Sequence, residues 1–166
     1  LVEQALTVGA YNLRIFCIHP CRQCRCGCCH DDVVVFAKPH YYDTRKINFK
    51  SFKHVKQFPS DLETYEVLSM ADLLVTDYSS VMFDFLNTNK EIVLFPYDQV
   101  EYFETRGAYV SLDELPFDRT IDVYDLCERI NKTTKSESTA SRYPEARKTY
   151  CPYDCEDAAK KLCDLL

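Results

Sequence analysis

Apolar and polar positions fall in blocks along the 166 residues, and the blocks read as alternating strands and helices. "NLRIFCI" (12–18) reads as a strand behind a short N-terminal helix. "DDVVVFAKPH" (31–40) is a Val-rich strand ended by Pro39; such continuous apolar runs suit a sheet covered on both faces. "HVKQF" (54–58) is a further short strand. Ser60 and Glu63 have Ser-x-x-Glu capping-box spacing, which predicts a helix through about Ala71 with Leu62, Tyr65, Leu68 and Met70 toward the sheet. "LLVT" (73–76), "SVMFDFLNT" (80–88) and "EIVLFPY" (91–97) then read as strand, helix and strand, a right-handed βαβ unit. Past Pro96 comes a polar stretch with Arg106-Gly107, then "AYVSL" (108–112) as a short strand. Helices are predicted over 122–132, 142–151 and 154–165, with "TTKSESTAS" (133–141) as a loop. Strands alternating with helices predict an α/β class: a Rossmann-like, mainly parallel sheet flanked by helices.

Composition narrows this further. With 46% hydrophobic and 28% charged residues the chain is a folded domain, or one lobe of something larger. A formal charge of −6 argues against a broad nucleic-acid surface or a polybasic membrane patch, while leaving room for a small basic site. No apolar run approaches the roughly 20 residues that span a bilayer. The chain opens on Leu1, and no charged-then-apolar signal follows, so it reads as a fragment without its natural N-terminus.

Of the ten cysteines, six lie between Cys17 and Cys29 in "CIHPCRQCRCGCC". Cys21 and Cys24 with Cys26, Cys28 or His30 have the residue types for zinc, but no second well-separated pair accompanies them. A disulfide framework needs an oxidising compartment. The reading preferred is an exposed variable loop, or a corrupted stretch of a predicted gene. Residues 1–31 are accordingly set apart as an uncertain segment with a Cys-rich loop, and 32–166 as the functional domain.

The informative stretch is "ADLLVTDYSSVMFDFL" (71–86), where four hydroxyls and a carboxylate separate two segments that both look buried. In a parallel α/β sheet, ligands sit beyond the carboxyl ends of the strands. Thr76, Asp77, Ser79 and Ser80 fall at such an end and open a helix, whose first-turn N–H groups suit an anion. The alternative is a plain N-cap, since serine caps helices well. Lys38 and His40 end the earlier strand and are expected on the same rim, from a neighbouring strand tip. An ammonium offsets diphosphate charge, and an imidazole donates or shuttles a proton.

Taken together, "VVVFAKPH", "LETYEVLSMADLLVTDYSSVMFDFL", "EIVLFPYDQVEYFETRGAYV" and "YCPYDCEDAAKKL" resemble the C-terminal half of the CDP-glycerol glycerophosphotransferase family, the teichoic-acid and capsule polymer transferases. The resemblance runs from about Asp32 to the end, roughly four-fifths of the chain. It implies the donor-binding lobe of a GT-B type enzyme that uses CDP-glycerol or CDP-ribitol, with a lipid-linked or polymer acceptor served by another lobe. His40 corresponds to the histidine of the family's Lys-Pro-His-Pro motif, with Tyr41 replacing the second proline. Thr76, Asp77, Ser79 and Ser80 match the Thr-Asp-Tyr-Ser-Ser turn; Glu101 and Arg106 match Glu-Tyr and Arg-Gly positions on the same rim. His40 is expected to be catalytic, with Lys38 beside it stabilising diphosphate charge. Asp77 either orients a hydroxyl or His40, or caps the turn. No metal-binding carboxylate pair stands out, so neither a metal nor a cofactor beyond the nucleotide substrate is expected. The family implies a cytoplasmic enzyme, peripheral on the inner membrane face. A non-catalytic nucleotide-binding module and the donor lobe of a GT-B sugar-nucleotide glycosyltransferase stay open as alternatives.

Overall fold

The computed structural model describes residues 13–18, 34–39, 48–51, 55–107, 110–133, 143–155 and 157–165. The strands are β1 (Leu13–Ile18), β2 (Val34–Pro39), β3 (Val55–Gln57), β4 (Leu73–Thr76), β5 (Glu91–Leu94) and β6 (Asp118–Arg119). They form one sheet in the order β3-β2-β1-β4-β5-β6. Pairings β2–β3, β4–β5 and β5–β6 are parallel, while β1 is antiparallel to both β2 and β4. The α/β class and the mainly parallel sheet therefore hold, with one strand inserted against the grain.

That insertion corrects the expectation that β2 and β4 are neighbours. Their carboxyl ends do share one rim, because both run opposite to β1. The β1 backbone separates them by about 10 Å, two strand spacings. An apolar run reports that a strand is buried but not which way it runs, so the direction of β1 was illegible in its residues.

Both faces of the sheet are covered, as the continuous apolar runs require. On one face Val35, Ala37, Val55, Leu73, Val75 and Val93 pack with Leu126 and Ile130; the last two belong to helix α4 (Val123–Thr133). On the other, Leu74, Ile92 and Leu94 pack against α1 (Thr64–Met70), α2 (Val81–Leu86) and α5 (Pro144–Tyr150) through Val67, Leu68, Phe85, Leu86 and Ala146. Each fully buried Val, Leu, Ile or Phe among them contributes about 1.5–3 kcal/mol.

Several boundaries moved for physical reasons. Helix α1 starts at Thr64, not Ser60: residues 60–62 form a turn after Pro59, and Glu63 is the N-cap. The capping carboxylate is Glu66, whose Oε2 accepts the Glu63 N–H at 2.9 Å. The buried stripe is Val67, Leu68 and Ala71, with half-buried Thr64 in line at helical spacing, while Leu62, Tyr65 and Met70 are exposed. The expected strand over 91–97 ends at Leu94 before Pro96. The expected strand at "AYVSL" is absent from its described part: Ser111 caps a 3₁₀ turn over Leu112–Glu114, accepting the Asp113 N–H at 3.3 Å. Helix α3 (Gln99–Thr105) has no fully buried residue, which is why its pattern read only as a polar stretch. At the carboxyl end, α6 (Ala158–Cys163) is shorter than its predicted range and wholly exposed. Among the described residues no helix is long and apolar enough to cross a membrane.

Candidate functional site

Strand β4 delivers Thr76 and Asp77 to the carboxyl rim while both are still buried, at 0% and 5% exposure. A buried threonine hydroxyl normally finds a partner, yet Thr76 Oγ1 makes no hydrogen bond to a described residue. The Asp77 carboxylate turns back on its own loop, where Oδ1 accepts the Tyr78 N–H at 2.7 Å. Of the two roles open to Asp77, this contact fits the turn-capping one.

The next residues open α2. Ser79 Oγ accepts the Val81 N–H at 3.4 Å, and the Ser79 and Ser80 carbonyls accept the N–H groups of Met82 and Phe83 at 3.2 and 2.9 Å. Ser80 is the N-cap residue, but its hydroxyl does not cap: its backbone is already helical, with φ −57° and ψ −14°. That hydroxyl is exposed and available to a ligand.

Tyr78 joins this turn to the one after β5. Its hydroxyl donates to Asp98 Oδ1 at 2.9 Å. Its ring stacks on Tyr102 with centroids 3.8 Å apart and meets Phe103 edge-on at 6.0 Å. Burial, reinforced by the hydrogen bond to Asp98 and its charge, pushes the phenol well above the ordinary tyrosine range. Tyr78 therefore stays a donor at any physiological pH.

Between α2, α3 and the 110–115 segment lies a cleft of about 350 Å³ lined by Tyr78, Ser80, Met82, Phe83, Tyr102 and Arg106, with Gly107, Val110, Leu112 and Leu115 completing it. Its lining is mostly apolar, with Ser80 and Arg106 contributing polar groups. Gly107, at φ +69°, turns the chain away from α3 just past Arg106, a conformation that favours glycine. Among the described residues Arg106 forms no ion pair.

The other expected site residues are distributed as follows. Lys38 lies at the end of β2, on the face of the sheet that carries Phe36. Its ammonium donates to Thr64 Oγ1 and sits 4.4 Å from the Phe58 ring centroid. Its contacts thus lie on the loop from β3 into α1, across β1 from the serines. Glu101 is exposed on α3, and neither it nor Thr76, Asp77 or Ser79 is among the cleft-lining residues, although the last three belong to the turn that carries Ser80 to the cleft. His40 lies outside the described residues, as do Cys21, Cys24, Cys26, Cys28 and Cys29. Tyr78, Asp98 and Tyr102 were not singled out from sequence; only the position of Tyr78 inside the hydroxyl-rich turn signalled a role.

Residues 22–166 match the model of the family described as CDP-glycerol:poly(glycerophosphate) glycerophosphotransferase. The chain belongs to this family. Among curated relatives, a teichoic acid glycerol-phosphate transferase of Staphylococcus aureus is 30% identical over 99% of the chain and 42% of its own length. A teichoic acid glycerol-phosphate primase of Bacillus spizizenii is 35% identical over 51% of the chain and 22% of its own length. The solved wall teichoic acid polymerase TagF superposes with a TM-score of 0.64 at 26% identity, covering 81% of this chain and 34% of that one. The glycerophosphotransferase fold is thus shared, and this chain spans less than half the length of each of these proteins.

Proposed function

We propose that this chain is the donor-binding part of a transferase that moves glycerol phosphate from CDP-glycerol to a polymer or lipid-linked acceptor in teichoic-acid or capsule synthesis. One observation carries the reading. Ser80 and Arg106, each at one end of a helix that follows one of two adjacent parallel strands, line one cleft at the sheet's carboxyl rim. A hydroxyl and a guanidinium are donors suited to a diphosphate. Family membership supplies the nucleotide, and glycerol is placed ahead of ribitol because the relatives at 30% and 35% identity are glycerol-phosphate enzymes.

In the reaction, an acceptor hydroxyl attacks the β-phosphorus of the donor. A new P–O bond forms as the hydroxyl gives up its proton to solvent, the bond to the bridging oxygen breaks, and CMP leaves with that oxygen and its electron pair. Such chemistry depends on positioning and on stabilising charge at the phosphoryl oxygens. The Ser79 and Ser80 hydroxyls hold the departing CMP phosphate. Arg106 neutralises charge from the opposite wall, and Thr76 offers a buried hydroxyl from below. Lys38 acts from its seat on Phe58 and Thr64 as a more distant positive charge, and His40 is assigned to the leaving-group oxygen. Glu101 keeps only a rim position. The acceptor sits on another part of the parent protein, at the inner membrane face.

Titrating the chain with CDP-glycerol in competition with UDP-sugars tests this. Tighter binding of CDP-glycerol is expected; preference for a UDP-sugar would transfer the chain to the sugar-nucleotide glycosyltransferases. Binding without turnover in the complete parent protein would reduce it to a nucleotide-binding module.

A further inference from the structure

Asp98 and Arg106 are the N-cap and C-cap residues of α3, and Tyr102 lies midway in one row with them, four residues from each. The backbone continues that row: the Tyr102 N–H bonds to the Asp98 carbonyl at 3.0 Å, and the Arg106 N–H to the Tyr102 carbonyl at 2.9 Å. The first two members are the residues Tyr78 grips, one by its hydroxyl and one by its ring. The third, Arg106, is exposed and lines the cleft. With no fully buried residue of its own, α3 has little else to fix its rotation.

We infer that Tyr78 is a positioning residue that sets where Arg106 stands relative to Ser80. The inference rests on the donor reading above and goes beyond it, because Tyr78 contributes through Arg106 without itself holding the phosphate. An O–H···carboxylate bond fixes the start of α3, the stacked ring fixes its middle, and the row carries that placement to Arg106. The turn bearing the serines and the helix bearing the arginine then move as one unit. A rotation of α3 about its own axis, which the half-buried Phe103 alone would resist weakly, would swing Arg106 out of the cleft.

The test measures CDP-glycerol affinity by calorimetry on the full chain for Tyr78→Phe, Arg106→Ala and the double variant, with thermal unfolding as a check on folding. Tyr78→Phe keeps the stack and removes the hydroxyl. It is expected to weaken binding by roughly three- to tenfold, and Arg106→Ala by roughly tenfold or more. The double variant is expected to bind no more weakly than Arg106→Ala alone, because the effect of Tyr78 passes through Arg106. The acceptor side gives an independent check: Asp98→Asn keeps an oxygen for the phenol and should bind within about twofold of wild type, while Asp98→Ala should match Tyr78→Phe. If Tyr78→Phe weakens binding equally with and without Arg106, or has no effect, the inference falls and the donor reading stands. If Arg106→Ala leaves affinity unchanged, the assignment of Arg106 to the donor falls and takes the inference with it.

Discussion

The hydroxyl of Tyr143 accepts the backbone N–H of Ile92 at 3.1 Å in the interior of the protein. Pairing explains why. Strand β6 registers against Val93 and Leu94 only, so the Ile92 N–H points past its end. Tyr143, at 0% exposure, supplies the acceptor that a longer strand would have given. The Tyr143→Phe variant should therefore fold and lose about 1–3 kcal/mol, the cost of a buried donor left unpaired. Urea unfolding measures it, and a loss below about 0.5 kcal/mol would show that the N–H finds another acceptor.

Thr76 presents the opposite case, a buried hydroxyl that makes no bond to a described residue. Valine has the same shape without the oxygen. Thr76→Val should leave unfolding stability within about 1 kcal/mol of wild type, or raise it, while weakening CDP-glycerol binding at least about threefold. Equal affinity would mean that this hydroxyl does not serve the donor.

What the residue pattern showed and what it hid have physical causes. Strands β4 and β5 and helix α2 were legible because all four residues of β4 and Ile92–Leu94 of β5 are buried, and a βαβ unit binds neighbours that are close in sequence. The serine-rich turn was legible because polar residues interrupt that burial. The antiparallel course of β1 depends on partners far along the chain and leaves no periodic trace. Helix α3 was hidden because its packing runs through Tyr102 and Phe103 against Tyr78, a contact with a distant turn that no local spacing records. The histidine motif was legible as chemistry, but His40 falls outside the described residues.

The cysteines near the carboxyl terminus should differ in reactivity. Cys151 Sγ bonds to the Phe83 carbonyl at 3.3 Å, and burial, followed by the nearby Asp154 carboxylate, pushes its thiol up. Cys155 and Cys163 are exposed. Since the thiolate is the reactive form, alkylation at pH 8 should label Cys155 and Cys163 well before Cys151. Mass spectrometry of a time course reads the order, and early labelling of Cys151 would contradict its placement.

Tyr78 makes an alkaline prediction. Its phenol holds its proton more tightly in the folded protein than in the unfolded chain. The resulting stabilisation is fully present below about pH 10, the ordinary tyrosine value, and is lost progressively as the pH rises above it. Tyr78→Phe has no such proton to hold. Its thermal midpoint should therefore fall less steeply than that of the wild type above pH 10, and parallel slopes would show that burial and Asp98 do not hold the proton on this phenol.

The most direct test of the account is the structure of the chain with CDP-glycerol bound. The account expects the diphosphate at the turn over residues 76–80, within hydrogen-bond distance of Ser79 or Ser80 and of Arg106, with the His40 imidazole reaching the same phosphate group. A diphosphate bound away from that turn, or an imidazole on the opposite face of the sheet, would contradict it.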